Sequence, residues 1–407
     1  MKRIVTIVLL LIANSIVGQN IWEPINFPDT LNTKAINAEK EGVVFVSTDE
    51  NSGFYGLFRS FDFGNSWELI DADLPSSYVN IFSIRHNSEN VLFIAADSRI
   101  YRSFDDGESF EKVFTGGGNF LKINFTANNE IYAVGWSYII RSVDGGDTWE
   151  TVFSGGNIYF SDIDFGLNGE IYTVGGSYDG PGTGSGFHRS LDNGETWVNI
   201  GLTDHHLNDI EVNSHGEILV GGESSAIYLS TDMGANWTMK TNLITTAMES
   251  DYQGNLFAGV RGYDYNGFRF SEDWSNNWTN LNDTNLNPYI NQISISPDNT
   301  IYLQCENFSN QQYQLFKSKK PIVSSNEHTI NSVMELFPNP THDKLYFTSN
   351  NLAGIKQLII YNQNGQKILA QKKLSSNSID VSKLKSGLYI IALEFENETI
   401  RKKIIIE

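Results

Sequence analysis

Between residues 21 and 334, short apolar runs alternate with polar turns at a near-constant interval. The clearest runs have the form Glu-Ile-Tyr-x-Val, at Glu130–Val134 and Glu170–Val174. Related runs are Val43–Val46, Val91–Ile94, Glu217–Val220, Asn255–Ala258 and Thr300–Leu303. Their length and their β-branched and aromatic residues predict strands. A less regular apolar-polar stretch precedes each, as at Phe82–Arg85, Leu121–Asn124, Asp162–Phe165, Asp209–Val212 and Gln292–Ile295. A third strand leads into a repeated turn and a fourth begins at the aromatic residue that ends it. The pattern predicts an all-β region built from four-stranded units of about 40 residues, the period of a propeller blade.

The turn reads Ser-x-Asp-x-Gly-x-x-Trp/Phe. It occurs at Ser60–Trp67, Ser103–Phe110, Ser142–Trp149, Ser190–Trp197 and Ser230–Trp237, and in degenerate form at Ser271–Trp278, where Ser275 replaces the glycine. Its aspartates, Asp62, Asp105, Asp144, Asp192, Asp232 and Asp273, are 43, 39, 48, 40 and 41 residues apart. A short carboxylate accepts hydrogen bonds from the amides of its own turn, and glycine supplies a positive φ. These aspartates therefore read as structural. The repeat resembles the Asp-box, or BNR repeat, of sialidase-like β-propellers, and the resemblance implies that the boxes lie away from any active face.

Seven strands of the Glu-Ile-Tyr-x-Val type accompany six turns. In the last unit Leu315-Phe316-Lys317-Ser318 aligns with Leu57-Phe58-Arg59-Ser60, but Lys320 stands at the aspartate position and no Trp strand follows. The missing strand matches the other end of the chain, where Trp22-Glu23-Pro24-Ile25 parallels Trp67-Glu68-Leu69-Ile70. This predicts a seven-bladed ring whose last blade is completed by the N-terminal strand; a six-bladed ring is the alternative. Pro24 is tolerated because an outermost strand is an edge strand.

The two ends differ from the middle. Residues 1–18 carry Lys2 and Arg3, then an apolar run to about Val17, and read as a secretory signal peptide. No later stretch is long enough to span a membrane. Residues 19–320 form the repeat domain, and residues 321–334 are polar and unpatterned, a linker. From Glu335 onward the chain carries 10 Lys/Arg and 7 Asp/Glu, against a whole-chain charge of −20. This basic tail reads as a small β-sandwich with a hairpin at Asn362–Gly365. It resembles the C-terminal sorting domain, type A, of proteins exported by the type IX secretion system. The matching residues are Leu336–Pro340, Asp343–Leu345, Ile359–Asn362 with Gly365, Ile379–Val381, Leu384, Gly387–Ile390 and Arg401–Ile405. The resemblance implies type IX machinery as a partner and a secreted or cell-surface location on a Gram-negative bacterium, reached through the periplasm.

Composition narrows the chemistry. The acidic balance argues against nucleic acid, and the single cysteine, Cys305, rules out an intramolecular disulfide or a cysteine-rich zinc site. No nucleotide fingerprint, metal motif or catalytic motif is present, so no cofactor, metal or catalytic residue is assigned. Arg59, Arg102, Arg141 and Arg189 each precede the serine of a turn, a repetition that marks scaffold facing a neighbouring blade. The arginine pattern of a sialidase is absent. His205-His206 has no third ligand of evident spacing. The loops between second and third strands, with those between blades, hold Trp136, Tyr138, Tyr178, Asp179, His205, Glu223, Arg261, Tyr263 and Asp264. These residues are the candidate ligand site. The expected function is a secreted propeller that binds a glycan or an extracellular protein through its loop face; the alternative is an exo-acting glycoside hydrolase.

Overall fold

The computed structural model describes residues 21–322 and 336–406, apart from 29–30, 49–55, 71–73, 75–79, 178–184, 223–224, 252, 262–266, 283–285, 287–288, 308–311, 321, 338–340, 343, 348–355, 363–366, 373–377 and 395–398. The signal-peptide reading and, but for Ile322, the linker reading fall outside these residues, as do Pro338 and Pro340. All regular structure among the described residues is β-strand. None of it is a helix long and apolar enough to cross a membrane. The chain divides into two compact units, Met1–Val323 and Ser324–Glu407.

The first unit is a series of antiparallel sheets, each formed by strands in chain order. The first runs Thr33–Lys40, Val43–Thr48, Leu57–Ser60, Glu68–Ile70, and the second Ile81–His86, Leu92–Ala96, Arg99–Ser103, Glu111–Thr115. Two later sheets span Asp209–Thr241 and Ile244–Asn280 in the same way. The closing sheet runs Tyr289–Ile295, Ile301–Asn307, Gln312–Ser318 and then Trp22–Pro24, from the other end of the chain. Its register sets Trp22 opposite Ser318 and Pro24 opposite Phe316. The first strand of each repeat packs against that of the next, and Tyr289–Ile295 packs against Thr33–Lys40.

The third and fourth repeats depart from the simple pattern by sharing one six-stranded sheet, Phe120–Gly201. Its second member, Ile131–Ser142, pairs through Ile131–Gly135 with Phe120–Phe125 and through Tyr138–Arg141 with Glu150–Ser154. Between the halves Ser137 has φ 62°. Trp136 pairs across with Tyr159 of the fourth repeat, and this bridge fuses the two sheets.

Apolar side chains collect between neighbouring sheets. Ile70 and Phe110, for example, share a cluster drawn from the first and second sheets. Ile25 and Phe27 of the N-terminal segment join Val44, Phe58, Tyr302 and Leu315 in a cluster drawn from the first and closing sheets. Trp22 is fully buried, donates its indole N–H to Leu281 O at 2.7 Å and meets Phe268 edge-on at 5.2 Å.

The aspartate turns lie at one end of these sheets. In each, the serine hydroxyl donates to the aspartate and accepts from the N–H four residues on, as in Ser60 Oγ to Asp62 Oδ1 at 2.7 Å and Gly64 N to Ser60 Oγ at 2.8 Å. The same carboxylate accepts Ser66 N at 2.8 Å and Ser66 Oγ at 2.7 Å. Two consecutive residues take positive φ, such as Phe63 and Gly64, so the turn needs more than its glycine. Ser275 adopts φ 71° at the glycine position and keeps the bond to Ser271 Oγ.

The scaffold arginines behave as their repetition suggests, with one exception. Arg59 reaches Asp106 O and Glu108, Arg102 reaches Gly145 O and Asp147, and Arg189 reaches Met233 O, all in the next repeat. Lys317 makes the equivalent reach to Phe63 O, from the closing sheet to the first. Arg141 instead bonds Glu130 and Glu150 of its own repeat.

The second unit is two sheets around one core. Leu336–Phe337, Lys344–Phe347 and Ser378–Asp380 form the smaller; Lys367–Lys372, Gln357–Asn362, Gly387–Glu394 and Thr399–Ile406 form the larger. Leu345 and Ile379 of the first meet Leu358, Ile360, Ile391 and Ile404 of the second. Arg401–Lys403 lie in the last strand, opposite Ala392–Ile390.

Candidate functional site

The aspartate turns satisfy their own polar groups, and their carboxylates are held down accordingly. Bonds from Thr148 and Ser142 bring Asp144 to about 2, and those from Ser66 and Ser60 do the same for Asp62. Carboxylates so engaged in local bonds are anchors of the turn, with little left for a ligand.

The opposite end, where second strands meet third, carries the sequence candidates. Tyr178, Asp179, Glu223, Tyr263 and Asp264 lie outside the described residues. Trp136 is 45% exposed, at the point where its strand changes partner. Tyr138 is half-buried and packs against the core between the second and third repeats. His205 lies against the Tyr228 ring at 5.2 Å, and the Arg261 guanidinium stands 5.6 Å from the Tyr289 ring centre. Trp136, His205 and Arg261 thus belong to different repeats. What the structure does bring together with Trp136 is Tyr159, opposite it in the register, whose hydroxyl is 3.1 Å from His206 Nδ1.

A second constellation lines the axis, on the first strands. Two adjoining cavities of about 160 and 210 Å³ are bordered by Glu39, Arg85, Lys122, Asp162, Asp164, Asp209, Glu211 and Glu249. The Arg85 guanidinium meets Glu39 at 2.6 Å and the Lys122 ammonium meets Asp162 at 3.4 Å. Side chains of Arg85 and Lys122 keep 21% and 25% of their surface open to this space but are otherwise enclosed. Enclosure opposes their charge, yet Glu39 for Arg85 and Asp162 for Lys122, with the other acids, outweigh it and raise both cations. Burial pushes the Asp164 and Asp209 carboxyls up to about 7, and Asp162 adds repulsion, against the amide bonds that favour the anion. Burial likewise raises Glu211 and Glu249. Carboxyls poised near neutrality can hold or release a proton there. Among the described residues no group of three or more His, Cys, Asp or Glu is arranged to hold a metal.

Many of these polar groups also join one repeat to the next. The inner edge of a first strand has no strand partner, so its N–H groups need acceptors. Ile210 N donates to Asp162 Oδ2 at 3.3 Å and Val212 N to Asp164 Oδ2 at 2.7 Å. His86 N donates to Glu39 at 2.8 Å and Ile123 N to Ser83 Oγ at 3.1 Å. The same stitch joins the ends of the series, where Ile36 N meets Gln292 Oε1 at 3.0 Å and Ala38 N meets Ser294 Oγ at 2.8 Å. The pattern of apolar residues predicts strands at these positions and says nothing of the charges they carry. The available signal is a charged or polar residue at alternate positions of an otherwise apolar first strand, as at Asp162/Asp164 and Asp209/Glu211.

Residues 335–407 match a family model described as a secretion system C-terminal sorting domain. No curated protein matches the chain. Among solved structures it is similar to YCF48 bound to a D1 peptide, at 15% identity and a TM-score of 0.58, over 74% of this chain and 98% of that one. It is similar to PorZ, a bacterial surface component of the type-IX secretion system of Porphyromonas gingivalis, at 12% identity and a TM-score of 0.54, over 95% of this chain and 61% of that one. A third is the WD40 β-propeller domain of Doa1, at 12% identity and a TM-score of 0.54, over 72% and 96%. Likeness at such identities speaks to fold alone. The chain therefore has the propeller type of fold and ends in a sorting domain that addresses it to type IX secretion, and so to the cell surface or the extracellular space.

Proposed function

We propose that this chain is a secreted seven-bladed propeller that binds a glycan or an extracellular protein through the face where second strands meet third. In this reading residues 1–18 are a signal peptide, residues 19–320 the ring, residues 321–334 a linker and residues 335–407 the export address. The repeated turns are Asp-boxes. Support for seven blades comes from the stitches that run from repeat to repeat and recur between Gln292, Ser294 and the first strand, with Trp22–Pro24 as the last outer strand.

The observation that carries the binding reading is the contrast between the two ends of the sheets. One end is occupied by turns that use up their own hydrogen bonds and whose exposed rings, Phe61 and Phe104, lie against the guanidinium groups of Arg59 and Arg102. The other presents Trp136, a large aromatic left 45% exposed on a backbone held by Ser137 Oγ, which donates to Gly156 O at 2.7 Å. Exposed aromatics on a fixed backbone are the usual anchors of recognition. YCF48, a structural neighbour, was solved with a peptide bound. Candidate contacts on this face are Trp136, Tyr138, Tyr178, Asp179, His205, Glu223, Arg261, Tyr263 and Asp264. The test is a glycan array and a pull-down from surface extract with the secreted protein; retention of neither class would refute the proposal.

A second reading, an exo-acting glycoside hydrolase, draws on the Asp164 and Asp209 carboxyls near 7, where a proton donor would need to be. Chromogenic glycosides separate the two: turnover that Asp164→Asn or Asp209→Asn abolishes would favour the enzyme.

A further inference from the structure

We infer that the axial cavities form a binding site for a primary ammonium on an unbranched alkyl chain, either a free polyamine or the lysine side chain of a partner. The site lies on the axis and not on the loop face, so it holds whichever ligand that face takes.

The two cavities succeed one another along the first strands. The fifth repeat borders the first with Asn208 and Asp209 and the second with Ile210–Val212. Arg85, Lys122, Asp162 and Glu249 border both. At about 160 and 210 Å³, each is several times what one water needs. Phe82, Leu121 and Met248 also border the first, apolar residues beside which a methylene stem can lie.

Charge in this space is unbalanced. Six carboxyls border it against two cations. Glu39 takes Arg85 and Asp162 takes Lys122. Asp164, Asp209, Glu211 and Glu249 remain, and among the described residues none of these four enters an ion pair. Asp164 accepts Val212 N at 2.7 Å. Asp209 Oδ2, by contrast, is buried and receives no hydrogen bond. A buried carboxylate oxygen with no donor is costly, and a ligand N–H would supply the donor.

An ammonium brings three donors and a single charge. A metal ion would need a tighter set of ligands than the described residues provide. An anion would meet four unpaired acids. The groups around Asp209 are Asp162, Asp164, Glu211 and Glu249, with Lys122 and Arg85 as the cations and Glu39 beside Arg85. Burial holds Asp209 and Asp164 at about 7, so near neutrality they share protons with solvent. An ammonium that bonds Asp209 displaces its proton, and uptake therefore strengthens as pH rises through 7.

The test is calorimetric titration of the secreted protein with cadaverine and with Nα-acetyl-lysine methylamide, at pH 6 and pH 8, in buffers of different ionisation enthalpy. Uptake of at least one is expected, and the tighter of the two identifies the source. Affinity should rise about tenfold between pH 6 and pH 8, with about one proton released, for one carboxyl titrating near 7. Tetramethylammonium, which has the charge but no N–H, should not compete. Asp209→Asn should weaken binding roughly tenfold and flatten its pH dependence. Glu249→Gln should weaken binding several-fold and keeps the test open if Asp209→Asn fails to fold. A wild type that takes up neither amine at pH 8 overturns the inference. So does equal competition by tetramethylammonium, or uptake unchanged in a folded variant of each kind. The loop-face reading survives all three results, because its glycan and surface-protein tests do not depend on these carboxyls.

Discussion

Replacing Trp22 with alanine tests whether the N-terminal strand closes the ring. The side chain is fully buried, lies edge-on to Phe268 at 5.2 Å and donates to Leu281 O at 2.7 Å. Truncating a buried tryptophan costs about 3–5 kcal/mol. A buried carbonyl left without its donor adds about 1 kcal/mol. The total, ~4–6 kcal/mol, corresponds to a melting-temperature loss on the order of 10 °C for a domain of this size. Thermal and urea unfolding, followed by tryptophan fluorescence and circular dichroism, would measure it. Trp22→Phe should fall between wild type and Trp22→Ala, because the edge contact survives and the hydrogen bond does not. Leu167→Ala, which trims a side chain that is 60% exposed, is the control and should leave the transition in place. Deleting residues 21–27 should cost more than Trp22→Ala, since Ile25 and Phe27 are also buried. A Trp22→Ala protein that melts within about 2 °C of its control would refute the closure.

The two sets of carboxylates predict opposite pH behaviour. Asp144 is depressed from 3.8 to about 2, so its contribution is whole above about pH 3.8 and lost as pH falls through 2; Asp144→Asn should flatten that part of an acid-unfolding profile without changing ligand binding. Asp209 is raised from 3.8 to about 7, so the folded state favours its proton and this group's contribution declines as pH rises from about 4 through 7; Asp209→Asn should gain on wild type in melts at pH 8 and not at pH 4. For the tail, removing Ser324–Glu407 should leave a ring that melts as before and stays in the periplasm of the native host, and fusing residues 335–407 behind a signal peptide and reporter should carry the reporter to the surface or medium. A periplasmic reporter would refute the assignment.

Legibility in the sequence follows the range of the interactions. The aspartate turn is closed by bonds within eight residues, Ser60 to Trp67, so each copy repeats the same letters. Second strands are buried on both faces and read as apolar runs, as Leu92–Ala96 does. The Trp22 strand is legible because it takes the same outermost place in its sheet as the Trp67 strand, Glu23 opposite Lys317 as Glu68 is opposite Arg59. The axial stitches are not, because each donor and acceptor lie in different repeats, Val212 N and Asp164 Oδ2 for example, and any short acceptor of suitable reach serves. Serine, glutamine, aspartate and glutamate all occur there, so no single letter marks the position. The bridge between Trp136 and Tyr159 was hidden for the same reason: it spans two repeats once, and a repeat search averages single events away. Arg59 and Arg102 also bond the glutamate that follows the turn of their own repeat, Glu68 and Glu111, as Arg141 bonds Glu150; what sets Arg141 apart is Glu130, which takes the guanidinium edge that the others turn to the next repeat.

The N-terminal clasp also sets an order of events for the growing chain. Trp22 hydrogen-bonds a residue 259 positions away, and its strand pairs with Gln312–Ser318. Every other sheet of the ring can assemble from neighbouring sequence, at low cost in loop closure. The segment made first must therefore wait for the segment made last, holding Trp22, Ile25 and Phe27 exposed in the meantime. Such a chain has a slow, late, all-or-none final step, and a partner that shields those three side chains would govern how much of it reaches the closed state.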